Sequence, residues 1–393
     1  MRIAFVCKRQ YMGKDVIADR YARLYEIPFQ LAKLGHSVRG FCLSYQRHTE
    51  GRWEHEVSPG ALTWESRSLG RTLAPALVGY PHRLLRRLRE FMPDVLIGAS
   101  DIPHVALTAW LARRLGVPYQ VDLYDNFEGF GQARLPGMKS ALRRATRAAD
   151  LVTTTSAPLR DMVVRDYRAR GEVIAMPSTV DLAVFRRRDK TACRHALDLP
   201  PDATLIGTAG GLYGDKGVDA LYRAWPAIAE RHPEARLVLA GPHDTATPPP
   251  GGPRVHYLGQ LPHARMAELF AALDVGVIYL RDTAFGRYCF PQKAYEMLAC
   301  GLPVISAAVG AMVPLLAGVP GALYRPDDAD DLARAMDHQL AERQLPDVAF
   351  DDWATIIGRL EQHLRALQTA ASNHDRRPAS VFPASASNKQ RNQ

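Results

Sequence analysis

The sequence predicts an α/β protein built from two Rossmann-like domains that face a central cleft. Three observations carry this prediction. Short apolar runs alternate with amphipathic helical stretches along most of the chain; the alternation restarts after a polar connector near residue 186; and a glycine-rich turn links a strand to a helix in the second half. The expected boundaries are 1–185 for the first domain and 186–350 for the second. A helix over 351–370 is expected to pack back on the first domain, and 371–393 is expected to be a disordered tail.

The first strand is read at 2–7, an apolar run bounded by charge. A loop containing Gly13 follows, then a helical pattern running from Ile17 to Leu34 that Gly35 ends, and a second strand over 36–44. Helices are expected near 82–91, 103–115, 138–149 and 157–169. The strands between and after them are expected at 95–97, 118–123, 151–155 and 173–176. In the second half, strands are expected at 204–209, 236–240, 255–258, 275–279 and 303–306, with helices at 218–231, 263–272 and 291–300. The segment 351–368 is amphipathic, with Trp353, Ile356, Ile357, Leu360, Leu364 and Leu367 on one stripe. Beyond it the chain is rich in Ser, Ala, Asn and Pro, a composition that buries little apolar surface.

Composition narrows the function classes. With 393 residues, 47% hydrophobic and 23% charged, the chain fits a soluble globular protein with two sizeable cores. It contains no apolar run of spanning length, and the short run at 3–7 before Lys8 and Arg9 is no secretory signal, so a cytoplasmic location is expected. The five cysteines are scattered with no C-x-x-C, which argues against a disulfide scaffold or structural zinc. Charge is uneven: residues 1–187 hold 29 Lys+Arg against 18 Asp+Glu, whereas residues 188–393 hold 21 against 23. The basic excess includes Arg83-Leu-Leu-Arg-Arg-Leu-Arg89, a cationic helical face suited to an anionic membrane or a phosphate-rich acceptor, or simply to solvent. No nucleic-acid-binding module is recognisable.

Two segments carry the chemistry. Gly210-Gly-Leu-Tyr-Gly-Asp-Lys-Gly217 lies between a strand and a helix. There Gly210, Gly211 and Gly217 let backbone approach an anion, the helix N-terminus favours negative charge, and Lys216 adds a compact cation. The turn lacks Gly-Lys-Ser/Thr and G-x-G-x-x-G, which disfavours an ATPase and a nicotinamide dehydrogenase. In Pro291-Gln-Lys-Ala-Tyr-Glu-Met-Leu-Ala-Cys-Gly-Leu-Pro-Val-Ile305, Lys293 and Glu296 share one helix face. They read either as a local ion pair or as a diphosphate cation and a ribose-binding carboxylate.

Taken together, Lys216-Gly-Val-Asp219 and Glu296-Met-Leu-Ala-Cys-Gly-Leu-Pro-Val304 resemble the nucleotide-sugar half of family 4 glycosyltransferases of the GT-B fold. Leu273-Asp-Val-Gly-Val277, Gly35-His36 and Gly13 extend the resemblance over most of residues 1–370. It implies an acceptor-side first domain and a donor domain at 186–350. The donor would contact Gly13, Gly210, Gly211, Lys216, Gly217, Lys293 and Glu296. The implied reaction moves a hexose from a nucleoside-diphosphate sugar to an acceptor hydroxyl with retention, with no cofactor and no metal. Lys216 would stabilise the leaving diphosphate.

The sequence departs from the family pattern where Gly211 replaces an arginine and Tyr288 replaces a glutamate; it matches instead a Pro-x-Lys-x-x-Glu subgroup through Pro291, Lys293 and Glu296. Tyr124-Asp125 stands where the family often has His-Asp, so Asp125 and Asp122 are catalytic candidates that orient the acceptor or offset charge on the sugar. Expected partners are a nucleotide-sugar donor, a saccharide or lipid-linked acceptor and an anionic membrane at the inner face of the cell, as in surface polysaccharide or glycolipid synthesis, with no nucleic acid. A sugar epimerase or hydrolase of the same shape, and a non-catalytic scaffold, are the alternatives.

Overall fold

The computed structural model describes residues 1–46, 48–69 and 73–375. The first domain is an eight-stranded sheet. Its spatial order is Glu172–Ala175, Leu151–Thr154, Tyr119–Leu123, Val95–Ala99, Arg2–Lys8, Ser37–Ser44, Ala61–Ser68 and Gly51–His55. All neighbours are parallel except the last pair. The second is a parallel sheet in the order Val255–Tyr257, Ala235–Ala240, Thr204–Ala209, Val275–Ile278, Val304–Ala307 and Leu323–Tyr324. Parallel strands need helical crossovers on both faces. Each domain accordingly has two apolar layers, one on either side of its sheet.

The edge strands Gly51–His55 and Ala61–Ser68 are absent from the sequence reading. Their inward face is carried by few residues, chiefly Leu62 and Trp64. Trp64 lies across from Gly40, where a Cβ would meet its ring at 2.1 Å, so this neighbour must be glycine. The helix expected from Ile17 is shorter, Ala22–Lys33. Ahead of it a hairpin pairs Gln10–Tyr11 with Lys14–Asp15, turning through Met12 (φ 51°) and Gly13 (φ 78°), the two left-handed residues of a type I′ turn.

The chain enters the second domain earlier than residue 186. Met176 packs in the first core, whereas Val180 and Phe185 are buried in the second, Phe185 stacking on Phe270 at 6.1 Å. The C-terminal helix, Trp353–Asp375, returns to the first domain. It buries Ile356, Ile357, Leu360 and Leu364 beside Ile3, Phe5 and Leu24, and Glu361 pairs with His36 at 3.0 Å. Because the helix runs to Asp375, residues 371–375 are helical, not a disordered tail; the rest of that expected tail lies outside the described residues. Among the described residues no helix is long and apolar enough to cross a membrane.

Between the domains, Ser156 Oγ donates to Tyr288 O at 2.8 Å and Gln292 Nε2 donates to Thr179 O at 2.8 Å. Both contacts lie at the carboxyl ends of the strands, where parallel sheets place their ligands.

Candidate active site

Strand Thr204–Ala209 ends at Gly210 (φ 106°), which meets the turn after Ala235–Ala240: a Cβ on Gly241 would lie 2.0 Å from Gly210 O. Only glycines allow these two turns to touch. A Cβ on Gly210 would come within 3.0 Å of Lys293 Nζ, and one on Gly211 within 3.3 Å of Lys216 Nζ. The paired glycines therefore form a floor against which two ammonium groups lie. Tyr279 Oη donates to Gly211 O at 2.7 Å and fixes that floor. The Gly211 site has no room for the arginine of the resembling family, since a Cβ there already meets the Tyr213 ring at 2.5 Å.

Gly217 serves the turn. Its φ is 97°, its N–H donates to Gly214 O at 3.0 Å, and helix Val218–Arg231 starts immediately after it. That amide is therefore already bonded within the turn. Asp219 faces away and braces the loop through Arg281 at 2.8 Å, while Arg281 Nε donates to Gly214 O at 2.9 Å.

Lys293 and Glu296 sit on helix Gln292–Ala299. Neither Lys216, Lys293 nor Glu296 forms a close ion pair among the described residues, although Lys293 and Glu296 act on each other's charge. Lys293 Nζ lies 5.0 Å from the Tyr279 ring centroid, and Lys216 Nζ lies 5.2 Å from Tyr213 and 5.9 Å from Phe285. Burial, then the Lys216 charge, pushes the Lys293 amine down to about 8 against the pull of Glu296. Burial lifts the Glu296 carboxyl to about 7, opposed by Lys293 and Gln292. Two neighbouring cations, with only the buried Glu296 carboxyl opposing Lys293, favour a bound anion.

On the first-domain side, Asp122 is corrected outright. It is fully buried, and Arg23, also fully buried, clamps it with Nε at 3.2 and 3.0 Å and Nη2 at 2.7 Å. Thr153 Oγ1 adds a bond of 2.6 Å. Its oxygens are occupied in the core and face no acceptor.

Asp125 is different. It is half-buried, among the described residues accepts only the Asn126 N–H at 2.7 Å, and burial raises its carboxyl. The Cys289 thiol, pushed up to about 12 mainly by burial, also feels Asp125 raising it and Lys216 lowering it. Cys289 thus marks where candidate groups of the two domains converge. Tyr21, from the first domain, likewise feels the charge of Glu296. At Gly13 a Cβ would meet no atom within 4 Å, so open space lies in front of that turn.

The sequence reading missed the aromatic walls Tyr213, Tyr279 and Phe285, and a polar cluster on the first-domain rim. Ser100 holds a left-handed φ of 87°, and its Oγ accepts the Lys8 N–H at 2.8 Å. Asp101 caps helix Ile102–Leu115 and meets His104 Nδ1 at 2.6 Å and Tyr45 Oη at 2.8 Å. Burial works to raise Asp101, but His104 and these bonds hold it at about 2. An Asp–x–x–His at a helix start was the available signal. Among the described residues no group of three or more His, Cys, Asp or Glu is placed to hold a metal ion.

Comparison with known proteins follows the two domains. A model described as glycosyl transferase 4-like domain matches residues 22–179, and one described as glycosyl transferases group 1 matches residues 203–342. The D-inositol 3-phosphate glycosyltransferase of Stackebrandtia nassauensis is 33% identical over 258 residues, 58% of this chain and 57% of that protein. The chain therefore spans less than two thirds of that relative's length. Two solved structures share the fold. The α,α-trehalose 6-phosphate synthase of Burkholderia multivorans has a TM-score of 0.67 at 16% identity, covering 97% of this chain and 99% of that one. Anabaena HepE, in complex with UDP-glucose, has a TM-score of 0.61 at 18% identity, covering 95% and 99%.

Proposed function

This chain belongs to the glycosyltransferases, matched in both domains by family models of that class, and we propose that it moves a hexose from a nucleoside-diphosphate sugar to an acceptor hydroxyl. One observation carries the reading: Lys216 and Lys293, both without an ion pair among the described residues, lie against Gly210 and Gly211 with Glu296 one turn beyond. A diphosphate placed over the glycines meets two ammonium groups and the Gly211 N–H, and these donors stabilise the charge that grows as the sugar leaves. Glu296 accepts hydroxyls of the ribose. Asp125, across the cleft, orients the acceptor.

On this reading the two lysines supply the positive charge at the diphosphate, and transfer proceeds without a divalent ion and with retention. The acceptor is a saccharide or a lipid-linked saccharide in surface polysaccharide or glycolipid synthesis. The basic first domain would work against the inner face of the cell membrane from the cytoplasm. Thermal shift with a panel of nucleoside diphosphates and their sugars, in EDTA, tests the donor half. A rise in melting temperature with at least one of them is expected; no rise with any contradicts the proposal.

A further inference from the structure

Away from the cleft, the cationic helix of the sequence analysis closes a cavity of about 420 Å³ against the edge strands of the first sheet. A second cavity of about 210 Å³ adjoins it, sharing Tyr80, Arg83, Arg67 and Glu50. Five arginines line the larger space against two glutamates. Part of that charge is already matched: Arg67 pairs with Glu50 at 2.6 Å and Arg87 with Glu65 at 2.9 Å. Arg83 and Arg86 have no ion pair among the described residues. Tyr80 lines the same space and is only 7% exposed, and its hydroxyl has no hydrogen-bond partner among the described residues. A buried hydroxyl without a partner costs stability unless a ligand satisfies it.

The walls are mixed. Phe41 and Leu84 offer apolar surface beside the guanidinium groups, and the volume lies within the range of small-ligand sites. Guanidinium forks pair bidentately with the oxygens of a phosphate, as they do with a carboxylate, and a tyrosine hydroxyl adds one donor. Cys42, Ser66 and Arg67 place the cavity near the carboxyl ends of their strands.

We propose that this cavity binds a phosphate ester, with Arg83 and Arg86 gripping the phosphate and the Tyr80 hydroxyl donating to it. The ester is either a free phosphorylated small molecule or the headgroup of an anionic lipid. The site is separate from the lysine pair and does not depend on the donor reading.

Titration calorimetry with glycerol 3-phosphate, and sedimentation with phosphatidylglycerol vesicles at physiological salt, test it and separate the sources. Saturable binding of glycerol 3-phosphate supports a free ester; binding of vesicles alone supports the headgroup. In either arm the Arg83→Gln/Arg86→Gln double variant should weaken binding by about tenfold or more, and Tyr80→Phe by about threefold. Lys216→Ala/Lys293→Ala should leave it within about twofold, which keeps the outcome distinct from that of the donor site. The two arginines are exposed and Tyr80→Phe is isosteric, so these variants keep the fold. Absence of binding to both probes overturns the proposal, as does binding that ignores the arginines and Tyr80 or follows the lysines.

Discussion

Arg23 and Asp122 form a bidentate ion pair from which water is wholly excluded, joining helix Ala22–Lys33 to the central strand Tyr119–Leu123. Arg23 Nη1 also donates to Met176 O at 2.5 Å, at the point where the chain leaves the first domain. Removing one partner strands the other charge in the core. Asp122→Ala should lower the stability of the first domain by about 3–5 kcal/mol, read by urea unfolding. A loss of turnover with unchanged stability would return Asp122 to the catalytic machinery.

Lys293 and Glu296 make the site pH-sensitive in opposite senses. The folded amine titrates at about 8, below its ordinary value, so protonation there opposes folding and stability rises with pH from about 8 upward. The folded carboxyl titrates at about 7, above its ordinary value, so stability falls as pH rises towards 7. A bound diphosphate favours the protonated amine. Donor affinity should therefore decline as pH passes about 8, and Lys216→Ala should move that limb upward by removing a repelling charge. A limb that stays in place in the variant separates it from Lys293.

Glu296→Gln should have two measurable effects. At pH 8 the unliganded protein should gain about 1–3 kcal/mol in stability, because a buried ionised carboxylate is replaced by a neutral amide. Donor binding should weaken at the same time, since the amide is a poorer acceptor for ribose hydroxyls. Thermal melts with and without donor read both. Stabilisation without loss of donor affinity would remove the ribose role.

On the proposed function, Asp125→Asn should reduce kcat by more than it raises the donor KM, because the carboxyl lies close enough to the second domain to act on Cys289. A small effect on both would mean that its bond to the Asn126 N–H is its whole role.

Much of this organisation is legible in the sequence because parallel strands are buried on both faces and read as apolar runs. The strands at Arg2–Lys8, Val95–Ala99 and Thr204–Ala209 are of that kind. The edge pair Gly51–His55 and Ala61–Ser68 is half-solvated and leaves a thin signal. Glycines at 210 and 217 mark left-handed turns, yet the sequence does not tell that the first forms the floor beneath Lys293 and the second starts a helix. Asp122 and Asp125 are three residues apart and alike in type. Only the position of Arg23, 99 residues away from Asp122, separates a core ion pair from a cleft carboxylate.

The central claim is that two lysines over a glycine floor hold a nucleoside diphosphate without a divalent ion. Titration calorimetry of UDP, GDP and ADP against the wild-type chain and its Lys216→Ala/Lys293→Ala variant, all in EDTA, measures this directly. At least one nucleotide should bind the wild type, and the variant should weaken it by about 30-fold or more, equivalent to roughly 2 kcal/mol. Equal affinity in both proteins, or binding that appears only when a divalent ion is restored, would contradict the claim.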